Sequence, residues 1–207
     1  MSTIFKGVVV VFLASFLSAP FISSAAAFEV TNIAPGYTWT VFRILPFPAA
    51  AFEFDQEGNL YTTDAREFST GMVNILKLHA PDYDSESVYA SYPTDLRGVN
   101  GLDFDRNGNL FISEFEHPNF DPVFGGDAGY LRRIDEDGIV RDTVFFSDFR
   151  PAGIAAGSKK VVYFPGRKWS DPSFGNIYAI RVSKGIWEAV IEEKAATAIA
   201  LDRKSVV

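Results

Sequence analysis

Cysteine is absent from the 207 residues, and with it disulfides, thiolate metal sites, cysteine nucleophiles and lipid anchoring through cysteine. Histidine is nearly absent too: His79 and His117 are the only two, so a polyhistidine metal centre has no raw material. No G-x-S-x-G, H-E-x-x-H or phosphate-cradling glycine loop occurs, which leaves a serine-triad hydrolase or zinc peptidase unsupported. Basic clusters are lacking, and the net charge is −7, so neither nucleic acid nor an anionic membrane surface is an expected partner. Sustained 3.6-residue apolar periodicity is missing as well, which disfavours helical repeats.

The one long apolar run lies near the N-terminus. Lys6 precedes the stretch Val8–Leu17, followed by Pro20, Ser23, Ser24 and Ala25–Ala27. This order of charge, short apolar segment and small residues predicts a signal peptide over 1–27, with cleavage after Ala27. The mature chain, 28–207, is then expected to be secreted or periplasmic and free of the membrane. Export without cysteine calls for a core large enough to hold without staples. A composition of 47% hydrophobic and 22% charged residues supplies one.

What the sequence does contain is a repeat. Ala51–Tyr61 (AFEFDQEGNLY) returns as Gly101–Phe111 (GLDFDRNGNLF), more weakly as Gly153–Tyr163, and starts again at Ala198. Such a period, built on strand-like units, points to a propeller. Within the second unit the pieces are Gly101–Asp105, a turn at Asp105–Asn109, Leu110–Glu114, Gly129–Ile134 and Ile139–Phe146. Four antiparallel strands per unit make a propeller blade. The predicted fold class is therefore all-β, a β-propeller with blades over about 46–97, 98–149 and 150–196 and an incomplete one at 197–207. The strand-like segment Tyr37–Leu45 is expected to complete the last blade. Since so few blades cannot close a ring, the expected parent fold is roughly six-bladed, with this chain a fragment of it. Asp55-x-Glu-Gly-Asn59 and Asp105-x-Asn-Gly-Asn109 place glycine too early for a calcium loop and fit hairpin turns.

Antiparallel pairing about Asn107 would set Asn100 opposite Glu114, Ala50 opposite Asp64 and Ala152 opposite Gly166, all around one channel mouth. Asn100, Glu114 and Asp64 bring oxygen there and are the candidate metal ligands, for calcium or another divalent ion. The loop after Phe115 adds Glu116, His117 and Asp121 as candidate ligand-binding residues. As parts of a binding mouth, Asn100 and Glu114 are expected to be replaceable by alanine with little loss of stability.

The phrase Val99–Glu114 (VNGLDFDRNGNLFISE) resembles the blade signature of NHL-repeat proteins, the gluconolactonase/regucalcin family and streptogramin lyases, which are mostly six-bladed propellers. In the gluconolactonase group an N-G or N-D-G phrase on the inner strand carries metal ligands, and Asn100-Gly101 matches it. That family's first-blade glutamate position holds Ala49 or Ala50 here. Two readings follow. One is a scaffold that binds a small molecule, sugar or protein at the channel mouth. The other, implied by the resemblance, is a gluconolactonase-like, divalent-metal-dependent hydrolase or lyase acting on a lactone or other small molecule.

Overall fold

A computed structural model describes residues 45, 49–64, 71–94, 98–115, 128–147, 149–157, 161–168 and 176–191. The expected signal peptide, the strand at Tyr37–Leu45 apart from residue 45, and the incomplete blade at 197–207 lie outside these residues.

Three antiparallel sheets follow one another along the chain. The first runs β1 (Phe52–Phe54), β2 (Leu60–Thr63), β3 (Met72–Leu78) and β4 (Glu86–Pro93), in spatial order. The second runs β5 (Gly98–Phe104), β6 (Leu110–Phe115), β7 (Gly129–Ile134) and β8 (Val140–Phe146). In the third, β9 (Phe149–Pro151) and β10 (Ala155–Ala156) both pair with β11 (Val161–Lys168), and β12 (Asn176–Arg181) and β13 (Ile186–Ile191) complete it. Inner strands of successive sheets are neighbours: β1 lies beside β5, and β5 beside β10. Sheets that meander outward from adjoining inner strands are propeller blades, so the chain has an all-β, β-propeller-type fold.

The inner hairpins of the first two sheets turn on the same device. The Asp55 carboxylate accepts hydrogen bonds from the amides of Glu57 and Asn59, both at 2.9 Å. Asp105 does the same for Asn107 and Asn109, at 2.8 and 2.9 Å. The β7–β8 turn repeats it with Asp135 accepting from Asp137 and Ile139. The glycine fourth in each turn has positive φ: +86° at Gly58, +78° at Gly108 and +77° at Gly138. The aspartates are spent on their own backbones, so these segments are turns and not cation loops.

Packing between sheets explains why the first half of β6, Leu110–Ile112, reads as an unbroken apolar run. On β6, Leu110 and Ile112 join Tyr61, Val73, Ile75, Tyr92, Leu102 and Phe104 in the core between the first two sheets. Phe111, one position out of phase, joins Phe149, Ile154, Phe164 and Tyr178 between the second and third. Both faces of β6 are thus buried, and period-two alternation disappears.

Candidate functional site

The predicted mouth lies where β2, β6 and β11 end. There the register departs from a simple hairpin. Val99, not Asn100, pairs with Glu114, because a bulge between Val99 and Gly101 takes Asn100 out of the ladder. Asn100 instead donates its side-chain amide to the Pro151 carbonyl, at 3.0 Å, tying β5 to the next blade. In the third sheet Gly166 pairs with Pro151 and not with Ala152, because the inner strand is split into β9 and β10. Ala152 donates its amide to the Pro165 carbonyl.

Glu114 is 1% exposed, and its surroundings account for both carboxylate oxygens. Tyr92 donates its hydroxyl to Oε1 at 3.0 Å, Thr94 donates to Oε2 at 2.7 Å, and Arg132 Nε donates to Oε1 at 2.6 Å. Arg132 is itself confined, its Cζ lying 5.0 Å from the Tyr92 ring centroid and 4.3 Å from that of Tyr130. Burial first, and then the Glu114 charge, push the Tyr92 hydroxyl well above its ordinary pKa, with Arg132 pulling the other way. Two blades are joined here by one saturated carboxylate. The expectation that Glu114 is dispensable for stability gives way to this arrangement.

Asp64 is buried at the end of β2, with its amide donating to the Asn74 carbonyl at 3.2 Å. Glu116, His117 and Asp121 lie outside the described residues. Among the described residues no group of three or more His, Cys, Asp or Glu side chains is placed to hold a metal ion.

The residues that sequence reasoning missed are Tyr92, Thr94 and Arg132. Arg132 was within reach of a register argument, since Glu114 pairs with Tyr130 and Arg132 lies two positions further along β7. Tyr92 and Thr94 belong to another blade and give no local signal.

At the opposite end, the turns of the first two blades border an open groove of about 390 Å³ with Tyr61 and Phe104 against it and Lys77, Arg106 and Glu136 around it. Burial disfavours the charged form of Asp55, but hydrogen bonds from the Asn59 side chain and amide, from Tyr61 and from the Glu57 amide outweigh it. They hold this carboxyl below its ordinary range. Burial, followed by the charge and hydrogen bond of Asp55, raises the Tyr61 hydroxyl. The Lys77 ammonium lies 3.7 Å from Asp55 and 5.3 Å from the Tyr61 ring centroid, so the strongest polar groups of this groove already answer one another.

No protein-family model and no curated protein matches the chain. Among solved structures, it is similar to virginiamycin B lyase from Staphylococcus aureus, in a catalytically inactive variant with quinupristin. Identity is 16% and the TM-score 0.44, over 70% of this chain and 42% of that one. The chain therefore spans less than half the length of that protein. The propeller-type fold itself rests on the order and adjacency of the three sheets.

Proposed function

We propose that the protein is an exported propeller-type binding module that engages a small molecule, sugar or protein where β2, β6 and β11 end. One observation carries this reading: the two ends of the sheets are unequal. At one end, five-residue turns at 55–59, 105–109 and 135–139 and a longer one at 79–85 close the described hairpins of the first two sheets. At the other, Phe115 pairs directly with Gly129, and the sequence between them is the long stretch 116–128. A connection of that length on a rigid blade is a typical carrier of binding residues. Glu116, His117 and Asp121 belong to it.

The chemistry of Glu114 favours this reading over a divalent-metal hydrolase or lyase. A cation would have to displace Arg132 and compete with two hydroxyl donors for a carboxylate that is already satisfied. Calcium in addition wants six or more oxygens.

Thermal melting of the full chain against neutral and acidic monosaccharides, gluconolactone, short peptides and calcium tests the proposal. A compound that binds the native state raises Tm by mass action. The shift should vanish when 116–127 is replaced by a short Asn-Gly turn and persist in Asp55→Asn. A shift that survives loop replacement refutes the assignment of the face. A calcium-dependent rise in Tm that Glu114→Gln abolishes would establish the metal-dependent alternative.

A further inference from the structure

We propose that Asn107 is a self-modifying site: the Gly108 nitrogen attacks its side-chain amide, ammonia leaves, and the residue ends as aspartate or isoaspartate. The site lies in the 105–109 turn, at the end of the sheets opposite the binding face, and does not depend on that face.

Asparagine is a thermolabile side chain, but the reaction needs particular surroundings. The next residue must not crowd the ring that forms, the side-chain amide must be free to swing, and the main chain must give. Among the described residues asparagine stands at 59, 74, 100, 107, 109 and 176. Bulky Leu60, Ile75, Leu110 and Ile177 follow four of them; glycine follows only Asn100 and Asn107. Asn100 is held, half-buried, with its amide donating to the Pro151 carbonyl at 3.0 Å. Behind it Gly101 is packed so closely that a Cβ would lie 3.0 Å from the Ile154 nitrogen. Asn107 is exposed, and among the described residues nothing hydrogen-bonds its side chain. Around Gly108 there is nothing within 4 Å of a built Cβ.

The turn can also let go at the right atom. Four backbone amides hold it: Asp105 to the Asn109 carbonyl at 2.9 Å, Asn107 and Asn109 to the Asp105 carboxylate at 2.8 and 2.9 Å, and Gly108 to the Asp105 carbonyl at 3.2 Å. The longest of the four belongs to the Gly108 nitrogen, the nucleophile. The sister turns place Glu57 before Gly58 and Asp137 before Gly138, and a carboxylate has no ammonia to lose.

The atoms balance. The Gly108 nitrogen bonds to Asn107 Cγ, its proton departs with the amide nitrogen as ammonia, and a five-membered imide closes. Water opens the ring at either carbonyl. One opening restores the ordinary main chain with aspartate; the other carries the main chain through the side-chain carbon as isoaspartate, one methylene longer. Overall, amide and water become carboxylate and ammonia. Both products add a carboxylate to the groove that Asn107 shares with Glu57 and Glu136. Isoaspartate also lengthens the chain between the two amides that the Asp105 carboxylate holds, so the turn loses one of them.

The test keeps the full chain folded in mildly alkaline buffer for days, then digests it with trypsin at mildly acidic pH for mass spectrometry. Cleavage after Arg97, Arg106 and Arg132 separates Asn100, in 98–106, from Asn107, in 107–132. In the folded chain Asn107 should convert to the acid about tenfold or more faster than Asn100, whose partly buried hydrogen bond must first open. In urea both should react. Asn107→Gln, which would need a six-membered ring, should release ammonia several-fold more slowly than the parent. Chains carrying isoaspartate, identified by isoaspartyl methyltransferase labelling, should melt below Asn107→Asp, which has the same charge without the added methylene. The proposal is overturned if Asn107 in the folded chain reacts no faster than Asn100, or if Asn107→Gln releases ammonia at the parental rate. Equal melting of the isoaspartate form and Asn107→Asp would overturn the stated damage to the turn.

Discussion

Arg132 Nε lies 2.6 Å from Glu114 Oε1, and Tyr92 of the preceding blade both bonds that carboxylate oxygen and faces the guanidinium. The consequence is a tie between blades built from charge in a place where the rest of the contact is apolar. A buried pair of this kind adds little net stability over a well-packed apolar replacement, but losing one partner strands the other.

Glu114→Ala is therefore expected to lower unfolding free energy by about 3–5 kcal/mol, read from urea denaturation. Glu114→Gln should cost less, since its amide oxygen still accepts from Tyr92 or Thr94. The double change Glu114→Leu with Arg132→Met should recover much of the loss, because no unpaired charge is left behind. A single alanine variant as stable as the parent would show that the tie carries no weight.

Two glycines with the same backbone conformation should behave differently. Gly108 has φ +78° and nothing within 4 Å of a built Cβ, so Gly108→Ala should cost only the left-handed backbone penalty, about 1–2 kcal/mol. Gly138 has φ +77°, but there a Cβ would fall 2.0 Å from the Tyr89 carbonyl oxygen. Gly138→Ala must also push β4 away from the β7–β8 turn, where the Tyr89 hydroxyl donates to the Asp135 carbonyl. Parallel melting curves in which Gly138→Ala loses no more than Gly108→Ala would contradict this close approach.

Stability should fall off at both extremes of pH, for opposite reasons. Asp55 has its folded pKa lowered, so the native state holds fewer protons than the unfolded chain over the acidic range. Its contribution is complete above the ordinary aspartate pKa of 3.8 and disappears as pH drops through the folded value. Asp55→Asn should flatten that acid limb. Tyr92 has its folded pKa raised, as do Tyr61 and Tyr89, chiefly by burial. Their contribution is complete below the ordinary tyrosine pKa of 10.0 and is lost as pH rises beyond it. An alkaline titration followed by near-ultraviolet absorbance should show these phenols ionising together with unfolding. Early ionisation of all the tyrosines in a still-folded chain would argue against their burial.

The sequence by itself determined the blade. Asp, then glycine three positions on, then an apolar strand is a local instruction: the carboxylate collects its own turn amides and the glycine takes the positive φ, within five residues. The same instruction at Asp55, Asp105 and Asp135 gave hairpins of the same kind each time. Tertiary structure decided everything that depends on which blade lies beside which. Glu114 is bonded by Tyr92, 22 residues earlier in the chain, a distance at which no spacing rule operates. The bulge at Asn100 moved a predicted pair by one residue, because Asn100 found its partner at Pro151, 51 positions away. The split inner strand of the third blade set Gly166 against Pro151 where a simple hairpin would have set it against Ala152. Local turn chemistry is written in consecutive residues; the identity of a charge's neighbour is settled only when separate sheets pack and exclude water.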